Sequence, residues 1–444
     1  MIGSLTRLLS GTSLRGRSLR ATALSLTQAG GYKFLQLVSN LILTRLLMPE
    51  AFGLMALVTV FVGGLAMVSD VGIRPSVIRS ERSDEAIFQS TAWTLQIVRG
   101  VCMTLIAWVF AWPYAALYDQ PVLAPMICVL AVSSSIIGFE SIEVSMRQRR
   151  LAIGKVVAMH LLEKLLSIIV TIGLVWWTQS IWGLVFGALS GSAFKVALSL
   201  LMFPSPNHRL AWDRGVLHEI LTFGRWILLG TFFTYLGGQG LSAIRGLLID
   251  LDTLAFLVIA GQFGWMIGEF VAATVSGVAY PALAQIVRER PTELRHQLRR
   301  IRLAILLPTI PGFILLSIVA EPMIDLLYDP RYAQAGPFLA LLALNGAFGT
   351  LTMVYQNAMT AQGNSRMPAL ISGVEVAMRI IATIAGFYLG GVIGMIIGHG
   401  LATLGGNLLS MTVARQSGFA DLKTDFAAIG IIGLFYVLQL SGAV

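Results

Sequence analysis

Charged and amide side chains occur inside segments of this sequence that are otherwise apolar enough to lie in hydrocarbon. An ionisable residue there costs about 2.5–3.5 kcal/mol on insertion scales, so each one needs a partner, a wet cavity or a functional role. The amides beside them can both donate and accept hydrogen bonds. The candidates for lining a binding cavity are Lys33, Gln36, Asn40, Arg99, Arg225, Gln239, Arg245, Gln262 and Glu269.

The polar residues of the first apolar segment share one helix face. Lys33, Gln36 and Asn40 are spaced i, i+3 and i+7, and Thr44 continues the same line. A polar stripe that faced lipid would be unstable. We therefore expect it to point inward, either into a cavity or only into hydrogen bonds with another helix.

Depth in the membrane separates the other candidates. Arg225 and Arg245 lie within reach of an interface, where a long side chain can place its charge in water. Arg99 and Glu269 lie deeper, and Glu269 shares a helix face with Gln262, seven residues earlier. A position at the membrane–water interface therefore explains Arg99 and Glu269 less well than it explains Arg225 and Arg245.

The stretch "VSDVGIRPSVIR" at 68–79 carries an acid and a base four residues apart, in the order that favours pairing on a helix. Mutual neutralisation would lower the cost of burying both. Alternatively, Gly72 and Pro75 loosen the helix, and the pair closes a gate in one conformation only. The same spacing recurs in a later segment, so the gating candidates are Asp70, Arg74, Glu375 and Arg379.

No motif for a metal, a nucleotide or another cofactor appears. His160, Glu163 and Lys164 are spaced for a proton relay, although a packed, hydrogen-bonded histidine is the alternative. Neither HExxH nor CxxC occurs, and both cysteines fall inside apolar segments. Gly154-Lys155 is not a phosphate loop, because Val156 stands where serine or threonine is required. We expect no metal, no cofactor and no ATP hydrolysis.

The composition places the chain in a membrane. Of its 444 residues, 56% are hydrophobic and only 12% are charged, against about 25% charged in soluble domains. Apolar windows long enough to cross a bilayer follow one another from residue 21 onward. The sequence predicts an all-α polytopic protein with twelve transmembrane helices and a possible thirteenth, at 22–47, 51–79, 86–112, 121–146, 151–177, 181–203, 219–248, 253–280, 301–327, 336–361, 367–389, 391–414 and 426–443.

The net charge of +9 is arranged by side of the membrane. Basic residues cluster in every second connection, as in "MRQRRLAIGK" and "RERPTELRHQLRRIR", whereas the intervening connections are short and carry few. The positive-inside rule then places the N-terminus in the cytoplasm. Anionic lipid heads account for this charge, so nucleic acid is not an expected partner.

An internal repeat divides the chain. "EKLLSIIVTI" at 163–172 recurs as "EVAMRIIATI" at 375–384, and glycines spaced by four follow each copy. Such ladders allow close helix contact. Six helices separate the copies, which predicts two six-helix lobes related by a parallel repeat around a central cavity. The predicted parts are a basic arm at 1–20, an N-lobe at 21–203, a linker at 204–218, a C-lobe at 219–416 and a C-terminal segment at 417–444.

Four stretches resemble one family along nearly the whole chain: "NLILTRLLMPEAFGLMALV", "SDVGIRPSVIRS", "YPALAQI" and "EPMIDLLYDPRYAQAGPFLALLAL". They are similar to the bacterial polysaccharide transporters, the Wzx-type oligosaccharide flippases of the multidrug/oligosaccharidyl-lipid/polysaccharide exporter superfamily. The resemblance implies an inner-membrane flippase for an isoprenoid-pyrophosphate-linked oligosaccharide, working by alternating access. Membrane lipids and the glycan polymerase and glycosyltransferases of the same pathway are the implied partners.

Two other functions are weighed against this one. An ion-coupled exporter of cationic drugs would favour acidic cavity residues, and the first segment offers a lysine and no acid. A membrane glycan polymerase or ligase needs a sizeable external loop, and the longest predicted one is the short stretch around Tyr328. We therefore expect no enzyme.

In the expected flippase, the cationic cavity candidates would replace the hydration of the pyrophosphate, and the amide candidates would form hydrogen bonds with the sugar.

Overall fold

The computed structural model describes residues 14–69, 71–364 and 366–442, and all regular elements in this part are helical. The chain divides into two compact units, Met1–Leu247 and Leu248–Val444. The first unit contains α1 (Leu14–Leu46), α2 (Pro49–Val68), α3 (Ile73–Arg79), α4 (Ala86–Leu117), α5 (Leu123–Gly138), α6 (Glu143–Arg149), α7 (Gly154–Thr178), α8 (Trp182–Met202) and α9 (Arg214–Tyr235). A π-helical turn at Leu236–Gly240 joins α9 to α10 (Leu241–Leu248), which ends at the boundary.

The second unit begins with α11 (Leu251–Thr274), which a π-helical turn at Val275–Ala279 joins to α12 (Tyr280–Glu289). It continues with α13 (Leu294–Ile318), α14 (Ala320–Leu327), α15 (Ala335–Thr350), α16 (Met353–Ala361), α17 (Arg366–Gln416) and α18 (Leu422–Leu440). Helix α17 reverses at Gly390 and Gly391, where Gly391 has a φ of 61°. Glycine adopts this left-handed conformation without a steric penalty. The turn lies between the predicted spans 367–389 and 391–414.

The helical membrane class is confirmed. Among the described residues, nine helices are long and apolar enough to cross a membrane, or ten if α5 and α6, which meet at 63°, form one span. The last predicted segment falls on α18, which passes the same test. The count of twelve spans, the two six-helix lobes and the linker at 204–218 stay predictions. The arm at 1–20 falls largely outside the described residues.

Glycines allow close helix contacts in the first unit. A Cβ built on Gly100 of α4 would lie 2.4 Å from the Ser134 carbonyl oxygen of α5. On α8, a Cβ at Gly187 would lie 2.1 Å from Thr171 Oγ1, and Gly183 meets Val175 in the same way. Side chains at these positions would force the helices apart. The predicted close contact of the first glycine ladder is therefore confirmed.

The second ladder packs the two arms of α17 together. A Cβ at Gly394 would lie 2.2 Å from the Gly386 carbonyl oxygen, and one at Gly398 would lie 2.0 Å from that of Ala382. Gly390 makes no such contact, because it lies in the turn. The second ladder therefore begins one step later than its predicted first glycine.

A buried ion pair ties α18 to the rest of the second unit. Arg302 of α13 is 1% exposed and Asp425 of α18 is fully buried, and Arg302 Nη2 donates to Asp425 Oδ1. The Tyr355 hydroxyl donates to Asp425 Oδ2 at 2.8 Å. Arg302 also donates to the Leu351 carbonyl at 3.1 Å, in the break between α15 and α16. Three segments of the unit thus meet at one charge pair.

Candidate functional site

A polar cluster joins α1 and α7 inside the first unit. Lys164 Nζ donates to Gln36 Oε1, and Gln36 Nε2 donates to Asn40 Oδ1 at 3.2 Å. Lys164 Nζ also lies 4.6 Å from the centre of the Tyr32 ring, which is a cation–π contact. We call Tyr32, Gln36, Asn40 and Lys164 the α1–α7 cluster. The inward direction predicted for the polar face of α1 is confirmed for Gln36 and Asn40.

The cluster holds its cation with neutral groups. In the part of the chain that the structure describes, Lys164 forms no ion pair; an amide oxygen and an aromatic ring hold its ammonium. Lys33 is close enough for the two lysine charges to act on each other. Glu163 is half-buried, and its carboxylate lies beside Gly191 of α8. A lysine held in this way by neutral groups gives the cluster a positive charge, which suits the site to an anion.

The segment between α2 and α3 is a break in the helix. Helix α2 ends at Val68, α3 begins at Ile73, and Gly72 has a φ of 64°. Pro75 falls in the first turn of α3, where its missing N–H leaves no bond unmade. The loosening predicted for Gly72 and Pro75 is confirmed as this break. The gating role of the segment stays a prediction.

Two polar residues of α4 bind the ends of neighbouring helices. Arg99 donates from Nε to Ser69 Oγ at 3.1 Å and from Nη2 to the Ala66 carbonyl at 2.7 Å. One turn earlier, Gln96 donates to the carbonyl of Gly138, the last residue of α5, and to that of Glu140 just after it, each at 3.1 Å. Helix ends leave such carbonyls without intrahelical partners, and a cation there also complements the helix dipole. Arg99 is thus placed at the α2–α3 break.

Helix α9 packs against the same break. A Cβ on Gly224 would lie 1.9 Å from the Val71 carbonyl oxygen, so the two backbones touch. Thr231 Oγ1 donates to the Met67 carbonyl at 3.1 Å, and the Tyr235 hydroxyl donates to the Val60 carbonyl at 2.8 Å. The C-terminal half of α2 is therefore held by side chains from both α4 and α9.

The predicted gating pairs have different outcomes. Asp70 lies outside the described residues, and Arg74 Nε donates to Gln148 Oε1 of α6 at 2.8 Å. The Asp70–Arg74 pair therefore stays a prediction. Glu375 and Arg379 do form an ion pair on the first arm of α17.

The remaining candidates lie elsewhere. In the first unit, Arg225 is exposed on α9, Gln239 is exposed in the π-helical turn, and Arg245 is half-buried in α10. In the second unit, Gln262 and Glu269 lie on α11, where Glu269 is exposed. Their roles in binding stay predictions.

The connection at 203–213 is bound to the start of α4. Ser90 Oγ donates to the Asn207 carbonyl at 2.8 Å, and the His208 ring stacks on Trp93 with 5.1 Å between ring centres. Burial lowers the pKa of His208, and the nearby Glu143 opposes this shift. Close by, the hydrogen bond from Arg82 holds the pKa of Glu85 below its usual range.

Sequence reasoning missed the partners of Lys164, which it considered only within a relay. The sequence does single out Lys164, because it is a lysine in an apolar segment and no acid follows it there. Its pairing with Gln36 depends on α1 packing against α7. It also missed Lys195, which pairs with Glu140 at 3.0 Å. The relay through His160 stays a prediction, and no group of metal-binding side chains occurs among the described residues.

Known proteins of polysaccharide biosynthesis resemble the chain in sequence. A family model described as "Polysaccharide biosynthesis protein" matches residues 42–337. The chain is 24% identical over 333 residues to the succinoglycan biosynthesis transport protein ExoT of Rhizobium meliloti (strain 1021), covering 74% of this chain and 65% of that protein. It is 20% identical over 395 residues to the lipopolysaccharide biosynthesis protein WzxC of Escherichia coli (strain K12). This match covers 85% of this chain and 77% of that protein.

Solved structures resemble the chain in fold. The lipid II flippase MurJ, in an inward closed conformation, has a TM-score of 0.72 at 16% identity, covering 94% of this chain and 92% of that one. An inward-facing multidrug resistance MATE family transporter of the MOP superfamily has a TM-score of 0.63 at 15% identity, covering 87% and 95%. The predicted family resemblance is thus confirmed: this chain is a helical membrane protein and belongs to the polysaccharide biosynthesis protein family.

Proposed function

We propose that this protein is a flippase that moves a lipid-linked oligosaccharide, joined to an isoprenoid pyrophosphate, across the bacterial inner membrane. Family membership and relatives named as transport and biosynthesis proteins for succinoglycan and lipopolysaccharide support this assignment. In this proposal the N-terminus is cytoplasmic, membrane lipids surround the protein, and enzymes of the same glycan pathway supply its substrate and use its product.

The observation that carries the proposal is Lys164, a membrane-segment cation bound to an amide and an aromatic ring. A pyrophosphate cannot cross hydrocarbon without groups that replace its water. An ammonium held by neutral partners keeps its charge available for an anion, and Gln36 and Asn40 can exchange their mutual bond for bonds to sugar hydroxyls. A site of this kind favours an anionic, hydroxyl-rich substrate over a cationic drug.

Alternating access to the two sides of the membrane requires at least one helix that can bend. The break between α2 and α3 is the part of the first unit best suited to this, because its backbone is already interrupted at Gly72. Arg99 and the backbone contact at Gly224 hold this break in the observed arrangement. In the proposed cycle these contacts change as the lipid-linked glycan passes, while the lipid tail remains in the bilayer.

The test uses cells that make a lipid-linked glycan but lack its flippase. Expression of this protein should restore surface polysaccharide, and Lys164→Gln should reduce the restored amount at least about tenfold, since a charge-assisted hydrogen bond to substrate is lost. Lys155→Gln is the matched control, because Lys155 is exposed on the same helix. Equal restoration by Lys164→Gln and wild type, at equal membrane levels, would contradict the proposal for this site.

A further inference from the structure

A cleft of about 510 Å³ opens between α3 and α9 of the first unit, away from the α1–α7 cluster. Its walls include Arg79, His218, Glu219, Thr222, Phe223 and Arg225. The cleft lies where α3 ends and α9 has just begun, beside the ion-paired connection at 80–85. It is thus at the end of α9 from which the chain enters its apolar segment.

Arg79 is the principal cation of this cleft. Its guanidinium carbon lies 4.6 Å from the centre of the Phe223 ring, so the ring supports the flat face of the group. Stacking of this kind leaves the N–H groups at the guanidinium edge available as donors. Among the described residues, Arg79 forms neither an ion pair nor a side-chain hydrogen bond. In particular, the Glu219 carboxylate of the cleft contacts Ser80 and Arg82 and not Arg79.

The one acid of the cleft wall is already engaged. Glu219 Oε1 accepts a hydrogen bond from Ser80 Oγ at 2.6 Å, and Glu219 Oε2 lies 3.9 Å from Arg82 Nη1. Glu219 is therefore engaged on the side away from Arg79, where it shares Arg82 with Glu85. The wall that remains presents the Arg79 guanidinium, the exposed imidazole of His218 and the hydroxyl of Thr222. This combination favours an anion with several acceptor oxygens.

A phosphate or pyrophosphate fits these donors best. A guanidinium edge binds two phosphate oxygens at once, and the hydroxyl and imidazole add further donors. The cleft is larger than one phosphate needs, which leaves room for a second phosphate or the first sugar. An anion held here can remain attached to a lipid tail that lies in the bilayer, because α9 continues from this point into an apolar segment.

We infer that the α3–α9 cleft is an entry subsite that binds the pyrophosphate head of the lipid-linked substrate before it reaches the membrane interior. This inference rests on the proposed function for the identity of the lipid. The phosphate chemistry is shared by ordinary anionic phospholipids, so the test must separate these two sources.

The experiment measures binding of inorganic pyrophosphate and of farnesyl pyrophosphate to the purified full chain by calorimetry, first in neutral detergent. Both should bind, and Arg79→Gln should weaken both at least about tenfold because the bidentate contact is lost. Thr222→Ala, at an exposed position, should weaken them by a smaller factor and guards against a folding defect in the first variant. Arg288→Gln is the matched control, because Arg288 is an arginine with 77% of its side chain exposed in the second unit.

A second arm places the protein in nanodiscs of phosphatidylcholine with or without phosphatidylglycerol. Farnesyl pyrophosphate should bind with similar affinity in both, within about threefold, if the subsite selects the pyrophosphate. Displacement by phosphatidylglycerol would instead identify a general phospholipid site and overturn the inference. Absence of pyrophosphate binding to wild type, or full binding to Arg79→Gln and Thr222→Ala, would overturn it too. If glycan transport fails while pyrophosphate binding depends on Arg79, the proposed function is wrong and the anion site remains.

Discussion

Lys164 is the residue on which the proposed transport function depends most. Its ammonium exchanges water for one amide oxygen and one aromatic ring, which is a weaker replacement than a carboxylate supplies. If Lys164 served only to stabilise the fold, an ion pair or an apolar residue at this position would stabilise it more. Lys164 keeps its charge without an ion-pair partner among the described residues, and this is consistent with use by an anionic ligand.

Gln36→Glu tests this interpretation at the same atom. The substitution places a carboxylate where Gln36 Oε1 now accepts from Lys164, so the protein should fold at least as well while the positive balance of the cluster is lost. We expect glycan transport to fall about tenfold or more with an unchanged Tm. Gln36→Met is the companion variant, because it removes the amide and leaves the charge. If Gln36→Glu transports as well as wild type, Lys164 has a structural role only.

The Arg302–Asp425 pair is the contrasting case of a charge held for structure. Asp425→Asn leaves a guanidinium buried without its carboxylate, and removing one partner of a buried pair costs about 3–5 kcal/mol. We expect a clear drop in Tm in detergent, whereas the double variant Arg302→Met with Asp425→Leu should lie closer to wild type. Glu289→Gln, in an exposed pair with Arg288, should change stability by no more than about 1 kcal/mol. A drop as large in the double variant as in Asp425→Asn would contradict the buried-charge explanation.

At the scale of elements, interrupted helices are bound by polar side chains from their neighbours. Gln96 of α4 binds carbonyls at the end of α5, and Arg302 of α13 binds the Leu351 carbonyl between α15 and α16. Helices α4 and α13 cover the third and ninth predicted spans, and the breaks fall in the fourth and tenth. The correspondence supports the predicted parallel repeat, because it recurs at an interval of six spans.

The contact between α9 and the α2–α3 break gives a prediction about packing. Gly224→Ala would place a Cβ 1.9 Å from the Val71 carbonyl oxygen, which no side-chain rotation relieves. We expect a loss of about 1–3 kcal/mol, as for overpacked interiors, visible as a lower Tm and faster hydrogen exchange at 66–73. Gly173→Ala is the control, because a Cβ there meets nothing within 4 Å. An unchanged exchange rate at the break in Gly224→Ala would show that α9 does not hold it.

The connection at 203–213 should depend on pH through His208. Burial lowers the pKa of this histidine in the folded state, so the unfolded chain takes up a proton first as pH falls below its ordinary value of about 6.5. The neutral, buried His208 therefore contributes fully to the free energy of unfolding above that pH. This contribution is lost as pH falls toward the lowered pKa of His208. Hydrogen exchange at 204–213, corrected for intrinsic rates, should show less protection at pH 5 than at pH 7.5. In His208→Gln the difference should shrink, and an equal difference in that variant would assign it to other groups.

For the whole molecule, hydropathy and small-residue spacing were sufficient for much of the architecture. Apolar windows predicted helices that the structure contains, and the glycine ladder Gly183-Gly187-Gly191 predicted the tight α7–α8 contact. Gly72 and Pro75 likewise indicated the α2–α3 break. These features depend on local properties of the chain, namely length, side-chain size and backbone freedom.

The partners of the polar residues were less predictable, because each depends on which helices become neighbours. The depth of Arg99 in its apolar segment predicts a cation that lines a cavity. In the structure Arg99 binds the Ala66 carbonyl at a helix end. Lys164 reads as part of a relay with its sequence neighbours, yet it binds Gln36, 128 residues away. The pairing of α1 with α7 leaves no signal in either segment considered by itself.

The central claim is that the protein moves a lipid-linked glycan from one leaflet to the other without altering it. The most direct measurement uses purified protein in liposomes that carry a lipid-linked oligosaccharide, and follows how fast glycan of the inner leaflet becomes accessible to an added glycosidase. We expect protein-dependent exposure, no new glycosidic bonds and a marked loss of rate in Lys164→Gln but not in Lys155→Gln. No exposure across several glycans and ion gradients, together with gradient-driven efflux of a cationic dye, would contradict it.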